Sequence, residues 1–338
     1  MPSTSRVEST DATVTATPAA VKYEPLVERS PTDKPWDDQR SSADRVQAIY
    51  ADAEPGKFQR LADRMVECSG WLTFGDVVDR ETGELRLRLK NARFCRVRHC
   101  PVCQWRRSLM WKAKFYEALP AIVANHPGGR WIMLTLTVRN CEVSDLRATL
   151  ASMSEAWNRF RLRKEFADVV GWVRTTEVTR GKDGSAHPHF HILAQVKSTF
   201  FKTGHYVKHE GWRDAWRAAA RLSYDPMVEV HAVRDAKGKT VSNANVETMR
   251  GAVAEVLKYA VKPSDMEADA AWFLTMTEQV HKRRFIACGG TLKDVFREEE
   301  KESDLLVQDD DALPDPDELR TLTYHWSPTV GHYRRKVG

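Results

Sequence analysis

The 338-residue chain contains no run of eighteen apolar residues, so nothing in it reads as a membrane-spanning helix. Its first twenty residues are rich in Ser, Thr and Pro and lack an apolar core, which argues against a secretory leader. Cysteine is scarce, six in all, too few for a disulfide scaffold. The cysteines cluster, which favours metal binding in a reducing cytoplasm. No GxxxxGK[ST] phosphate loop occurs, so an ATP site of that kind is excluded, and no internal repeat is visible.

Charge is present but unevenly spread. The net charge is +5, yet residues 298–318 carry eleven acids against one lysine. Residues 46–297 carry a net +13. A basic body of this kind points to a polyanionic partner, nucleic acid above all. The composition predicts four regions. Residues 1–44 read as a disordered arm, 45–125 as a helical and zinc-knuckle DNA-binding region, 126–297 as a catalytic domain, and 298–338 as an acidic, disordered tail. The acidic tail is a candidate competitor with DNA for the basic body.

Within 130–262 the hydrophobic periods give the order β-α-β-β-α-β-α. That order suits an α+β fold, a mostly antiparallel central sheet with packed helices. In Trp131–Val138, Ile132, Leu134, Leu136 and Val138 share one face, while Met133, Thr135 and Thr137 share the other. A helix is expected over Ser42–Met65, and another from an N-cap at Ser144 to about Phe166.

His187-Pro-His189-Phe-His191 reads as a strand with its imidazoles on one face. The preceding β-rich run, 169–179, is joined to it by Arg180-Gly-Lys-Asp-Gly-Ser185, a hairpin-loop composition. Folding the hairpin about Asp183 sets Glu177 opposite His189, with Cβ atoms about 5 Å apart. Two imidazoles and a carboxylate on one sheet face suit Mg, Mn or Zn better than Ca. His187, at the strand entrance, is a fourth ligand, a supporting group or neither.

Residues 248–262 predict a helix ended by Pro263, with Met249, Ala252, Val253, Val256, Leu257 and Ala260 as its apolar stripe. Glu255, Tyr259 and Lys262 then form a ridge beside the stripe. A tyrosine oxyanion attacks phosphorus when a cation lowers its pKa from about 10 or neutralises the phosphate. Lys258, Lys262 or a metal ion is placed to do so. The plain alternative is an ordinary amphipathic helix.

Cys95, Cys100 and Cys103 stand at x4 and x2 spacing, the pattern of a structural zinc knuckle. Cys68 or His99 is the candidate fourth ligand, while Cys141 and Cys288 stand alone as ordinary thiols. The following segment, Trp105–Tyr116, interleaves aromatics with Arg106, Arg107 and Lys112, a candidate phosphate- and base-binding surface. The same aromatics would equally serve as the buried face of a helix.

Taken in order, Trp131–Val138, His187-Pro-His-Phe-His-Ile-Leu193 and Glu255-Val-Leu-Lys-Tyr-Ala-Val-Lys262 resemble the three motifs of rolling-circle plasmid replication initiators, the Rep proteins of the HUH endonuclease superfamily. The knuckle with Trp105-Arg106-Arg107 resembles a cysteine-containing segment of one branch. The resemblance spans roughly residues 65–265. It implies an HUH-type fold and a DNA endonuclease and strand transferase. His189 and His191 would hold Mg or Mn, with Glu177 as third ligand. Tyr259 would nick the plasmid origin, leaving a 5′-phosphotyrosyl enzyme and a 3′-OH primer. Glu255 matches the carboxylate of the single-tyrosine branch, which activates water for the terminating cleavage. Lys262 matches the lysine three residues after the tyrosine. Lys258 joins the arginines as a DNA contact, and the implied partners are origin DNA, a host helicase and the replication machinery. A relaxase or single-strand transposase of the same chemistry is an alternative. So is a non-catalytic zinc-knuckle DNA-binding regulator.

Overall fold

The structure, a computed structural model, describes residues 22–79, 82–242, 244–258, 260–296, 303–306, 312–314 and 321–337. In chain order the elements begin β1 (Lys22–Pro25), α1 (Leu26–Arg29), α2 (Lys34–Ala51), α3 (Gln59–Val66), β2 (Trp71–Asp79) and β3 (Leu85–Ala92). The middle of the chain holds α4 (Pro101–Asn125), β4 (Arg130–Thr137), α5 (Leu146–Phe160), β5 (Val169–Arg180), β6 (Ala186–Val196), α6 (His209–Ala220), β7 (Val228–Ala232) and α7 (Val246–Val256). It closes with α8 (Pro263–Ala268), α9 (Ala270–Gln279), β8 (Ile286–Gly290), β9 (Ala312–Pro314), β10 (Thr321–Ser327) and β11 (His332–Val337).

The fold is α+β, as expected, with the predicted β-α-β-β-α-β-α order intact. The central sheet runs β7-β4-β6-β5-β8, antiparallel throughout. Strict alternation along β4 separates its two faces. Ile132, Leu134 and Leu136 bury against α5 and α6 together with Trp157, Phe160, Trp212 and Trp216. Trp131 and Met133 face the other way, where Phe115 and Leu119 of α4 and Met249, Val253 and Val256 of α7 cover the sheet. Burying such aromatic side chains contributes about 2–3 kcal/mol each, enough to hold a helix layer on each face. The histidine strand β6 lies in the centre of the sheet, and its odd-numbered residues face α7.

At the end of β8 the chain turns on Gly290, whose φ is +60°. A Cβ there would lie 2.0 Å from the Val170 carbonyl oxygen, so only glycine permits β8 to close on β5.

The arm and the tail depart from expectation. Residues 22–44 are ordered as β1, α1 and the start of α2, and 321–337 as β10 and β11. With β2, β3 and β9 these strands make a second, six-stranded sheet, ordered β1-β11-β10-β2-β3, with β9 also on β2. Polar composition concealed a period-two pattern in Thr321–Ser327, where Leu322 and Tyr324 are buried and Thr321, Thr323 and His325 are exposed. Buried Tyr333 donates its hydroxyl to the Ser69 carbonyl at 2.6 Å, and Trp326 donates its indole N–H to Asp44 at 2.7 Å. The rest of the predicted disordered arm and most of 298–320 lie outside the described residues.

Helix boundaries also differ. The single helix expected over Ser42–Met65 is broken between α2 and α3, where Pro55 lacks a donor and Gly56 takes a φ of +89°. Ser144 lies in a short 3-10 turn, Val143–Asp145, that precedes α5.

Candidate functional site

Glu177, His189 and His191 converge. The β5–β6 register pairs Glu177 with His189 and Thr175 with His191, the register that a turn centred on Asp183 demands. Glu177 Oε2 lies 3.1 Å from His189 Nε2 and 2.8 Å from His191 Nε2. All three side chains are buried. His189 Nδ1 sits 3.2 Å from the His187 carbonyl, which accepts only, so this nitrogen donates. A neutral His189 then points an Nε2 lone pair at a carboxylate oxygen. Two acceptors this close need a cation between them or a proton on Nε2. The set is therefore chemically suited to a divalent ion of the Mg, Mn or Zn type. The other ring nitrogen of His191 lies 3.3 Å from Thr135 Oγ1, so both imidazoles are oriented from behind. Thr135 was not singled out from the sequence. Its outward position on β4, directly across from His191, is the signal that marks it.

A fourth group reaches the same oxygen: Lys258 Nζ, 2.9 Å from Glu177 Oε2 and 2.6 Å from Glu255 Oε1. Burial would raise the Glu177 carboxyl, but hydrogen bonds from His189, His191 and Lys258 outweigh it and hold the group well below the usual carboxylate range. Burial likewise works against the Lys258 cation, yet its bonds to Glu255 and Glu177 push the amine above its ordinary value. His187 stands apart from this set. Its Nδ1 donates to Asn140 Oδ1 at 2.7 Å.

The segment after α7 corrects the predicted ridge. The helix ends at Val256, and Pro263 begins α8 instead of ending α7. Side chains from neighbouring elements capture the last carbonyls. Thr175 Oγ1 donates to Val256 O at 2.7 Å and Ser108 Oγ to Leu257 O at 2.6 Å. The β5 amide of Val178 then donates to Ala260 O at 3.0 Å. Glu255 and Lys262 therefore do not share a helix face. Glu255 is exposed near the site through Lys258, while Lys262 is exposed at the start of α8. Tyr259 lies outside the described residues. Its two chain neighbours, Lys258 and Ala260, are both tied to β5.

The knuckle closes with four thiols. Sγ separations of 3.6 Å join Cys68 to Cys100, Cys68 to Cys103, and Cys95 to Cys103. Zn–S bonds of about 2.3 Å in a tetrahedron require S···S edges of about 3.8 Å, so the four fit zinc. Cys100 caps α4 and Cys103 lies in its first turn, where the helix dipole favours thiolates. Hydrogen bonds from Cys100, then Cys68 and Cys95, pull the Cys103 thiol well below its ordinary value. Backbone amides of Cys95 and Val97 point at Cys68 and Cys95 sulfurs, at 3.5 and 3.4 Å. His99 is not part of the set. It is buried, edge-on to Phe273, with neither ring nitrogen bonded among the described residues, and burial lowers it to about 3.

Of the expected DNA contacts, Arg106 is corrected: it is buried, donates Nε to Leu305 O at 2.8 Å, and lies over the rings of Trp36 and Trp105. Of the aromatics of α4, Phe115 is buried in the core, while Trp105, Trp111 and Tyr116 are half-buried, and Trp111 also lines a cleft. Lys112 is half-buried, and burial lowers its amine. Arg107 and Lys258 line a common cleft of about 830 Å³ that reaches the knuckle at Arg96 and Arg98 and adjoins the Glu-His-His set through Lys258, which is bonded to Glu177. No helix among the described residues is long and apolar enough to cross a membrane.

An antiparallel sheet bearing a Glu-His-His set on adjacent strands, beside a four-thiol knuckle, defines an α+β protein with two candidate metal centres. The replication protein family matches residues 86–334. Protein rep of Lentilactobacillus hilgardii is 30% identical over 279 residues, covering 81% of this chain and 87% of its own. Protein rep of a Bacillus species is 33% identical over 274 residues, covering 76% and 86%. A replication protein of Staphylococcus aureus is 34% identical over 224 residues, covering 62% and 93%. No solved structure matches the chain. The chain belongs to the replication protein family, the plasmid Rep initiators that its motifs resemble.

Proposed function

We propose that this protein nicks and rejoins one strand of plasmid origin DNA by transesterification through Tyr259. The observation that carries the reading is the convergence of His189, His191 and Lys258 on one carboxylate oxygen of Glu177, with Lys258 the immediate chain neighbour of Tyr259. A divalent ion held by Glu177, His189 and His191 would supply Lewis-acid polarisation of the scissile phosphate. The Tyr259 phenolate oxygen attacks phosphorus, the P–O3′ bond breaks, and the departing O3′ takes up a proton. A 5′-phosphotyrosine and a free 3′-OH result. Bond energy is conserved, so no nucleotide cofactor is needed, and attack by a 3′-OH on the phosphotyrosine rejoins the strand. Lys258, kept charged by its two carboxylate partners, faces charge developing on the phosphate. Glu255, exposed and next to it, accepts a proton from water in a terminating cleavage. The four-thiol knuckle holds Zn and organises the DNA-binding region. The 3′-OH primes synthesis by host machinery, with a host helicase opening the duplex.

The test is incubation of the full chain with Mn or Mg and a labelled single strand bearing the origin. Wild type forms an adduct stable in SDS, mapped to Tyr259 by mass spectrometry, and Tyr259→Phe forms none. An adduct on Tyr259→Phe overturns the assignment.

A further inference from the structure

The cleft that adjoins the Glu-His-His set at Lys258 is lined by the knuckle and the start of α4 and by β8. Arg96, Arg98 and Arg107 project from the knuckle side, and Arg284 and Lys293 flank β8. Asp294 is the one acidic side chain in the described lining. Aromatic rings stand among the cations: Trp111 and Phe296 meet edge to face at 5.1 Å, while Arg98, 4.8 Å from the Phe285 ring centroid and donating to the Arg283 carbonyl at 2.8 Å, ties the knuckle to the β8 side. Among the described residues, β8 is hydrogen-bonded to β5 alone, so its outer edge belongs to the cleft. At the catalytic end the walls are Thr175, Thr176 and Lys258. Arg96 adds a second kind of observation. It is exposed and holds a left-handed backbone, φ +55°, at the turn of the knuckle, a conformation that would come more easily to glycine.

The geometry points to a track for single-stranded DNA, in which Arg96, Arg107 and the β8 cations take phosphates and the Trp111–Phe296 pair stacks a base. The zinc knuckle is then one wall of the strand path leading to the scissile phosphate. A single strand fits these residues better than a duplex because stacking on an aromatic ring requires an unpaired base, while a row of cations tracks the backbone whatever its sequence. The track rests on the nicking reading above and assigns the path of its strand over these residues, and it is tested by binding alone.

The experiment is fluorescence anisotropy of labelled dT12 with zinc-loaded, full-length Tyr259→Phe protein, without added Mg or Mn, across a salt series. Arg284 and Lys293 are exposed, so R284E/K293E leaves the fold intact. This pair is expected to weaken dT12 binding at least tenfold at 100 mM salt. Losing two phosphate contacts lowers the slope of log K against log salt by about 1.4. Trp111→Ala is expected to weaken binding about tenfold with the slope unchanged, the mark of lost stacking. The control R60E/R161E makes the same charge change at exposed positions outside the cleft lining. Equal weakening by control and cleft pairs, unchanged binding by the cleft pair with zinc content and circular dichroism intact, or competition by a 12-base-pair duplex as strong as by dT12 overturns the proposal. Tight cleft-dependent binding by a protein that never nicks origin DNA sinks the transesterification reading and leaves the track standing.

Discussion

Glu177→Gln is the perturbation that most directly examines the candidate metal centre. Three nitrogens, His189 Nε2, His191 Nε2 and Lys258 Nζ, crowd around Glu177 Oε2 within 3.1 Å. The carboxylate is the only anionic member of the described ligand group. One negative charge about 4 Å from a dication contributes about 8 kcal/mol at an effective dielectric of about 20. The amide oxygen of Gln and entering water restore most of this. A residual loss of about 2.7 kcal/mol corresponds to a hundredfold fall in Mn affinity. His187→Ala is the matched contrast. It removes an imidazole that is bonded to Asn140 but keeps the backbone carbonyl that orients His189. Its expected effect is less than about fivefold, roughly 1 kcal/mol. Free Mn is read by electron paramagnetic resonance during titration of the zinc-loaded full chain. If His187→Ala costs as much as Glu177→Gln, the imidazole of residue 187 is a ligand and the Glu-His-His assignment is wrong.

Three further outcomes follow from the same contacts. Tyr333→Phe removes the donor to Ser69 O and Ser69 Oγ in a buried site, and is expected to destabilise the chain by about 1–3 kcal/mol in urea unfolding; an unchanged midpoint would mean that the C-terminal strands are not docked. Cys103→Ser breaks the thiol tetrahedron and should release about one zinc per chain to a colorimetric chelator, whereas Cys288→Ser, outside the set, should release none. Truncation before β10 removes two strands of the six-stranded sheet, so it is expected to yield a chain with a broadened unfolding transition; a sharp transition with unchanged midpoint would contradict the pairing of β10 with β2. For the same reason, removing residues 298–338 cannot isolate the effect of the acidic run on DNA binding, and substituting its acids in place is the cleaner route.

What was legible in the sequence is what depends on local period and count. Alternation along 131–138 and the distance of 177 and 189 from Asp183 were enough to set Glu177 beside His189, because a hairpin register follows from its turn. The x4 and x2 cysteine spacing likewise marked the knuckle. Tertiary structure alone decided between Cys68 and His99, since the choice depends on whether the turn between α3 and β2 brings the Cys68 sulfur to the other three thiols. It also decided the end of α7, where hydroxyls from Ser108 and Thr175, distant in sequence, take carbonyls that a helical period would have kept. Arg106 reads as a phosphate contact in any window of its neighbours, yet the chain folds Trp36 and Leu305 over it. The pairing of the N-terminal strand with the C-terminal one lay beyond any local pattern, because a strand's partner is set by long-range closure rather than by its own residues.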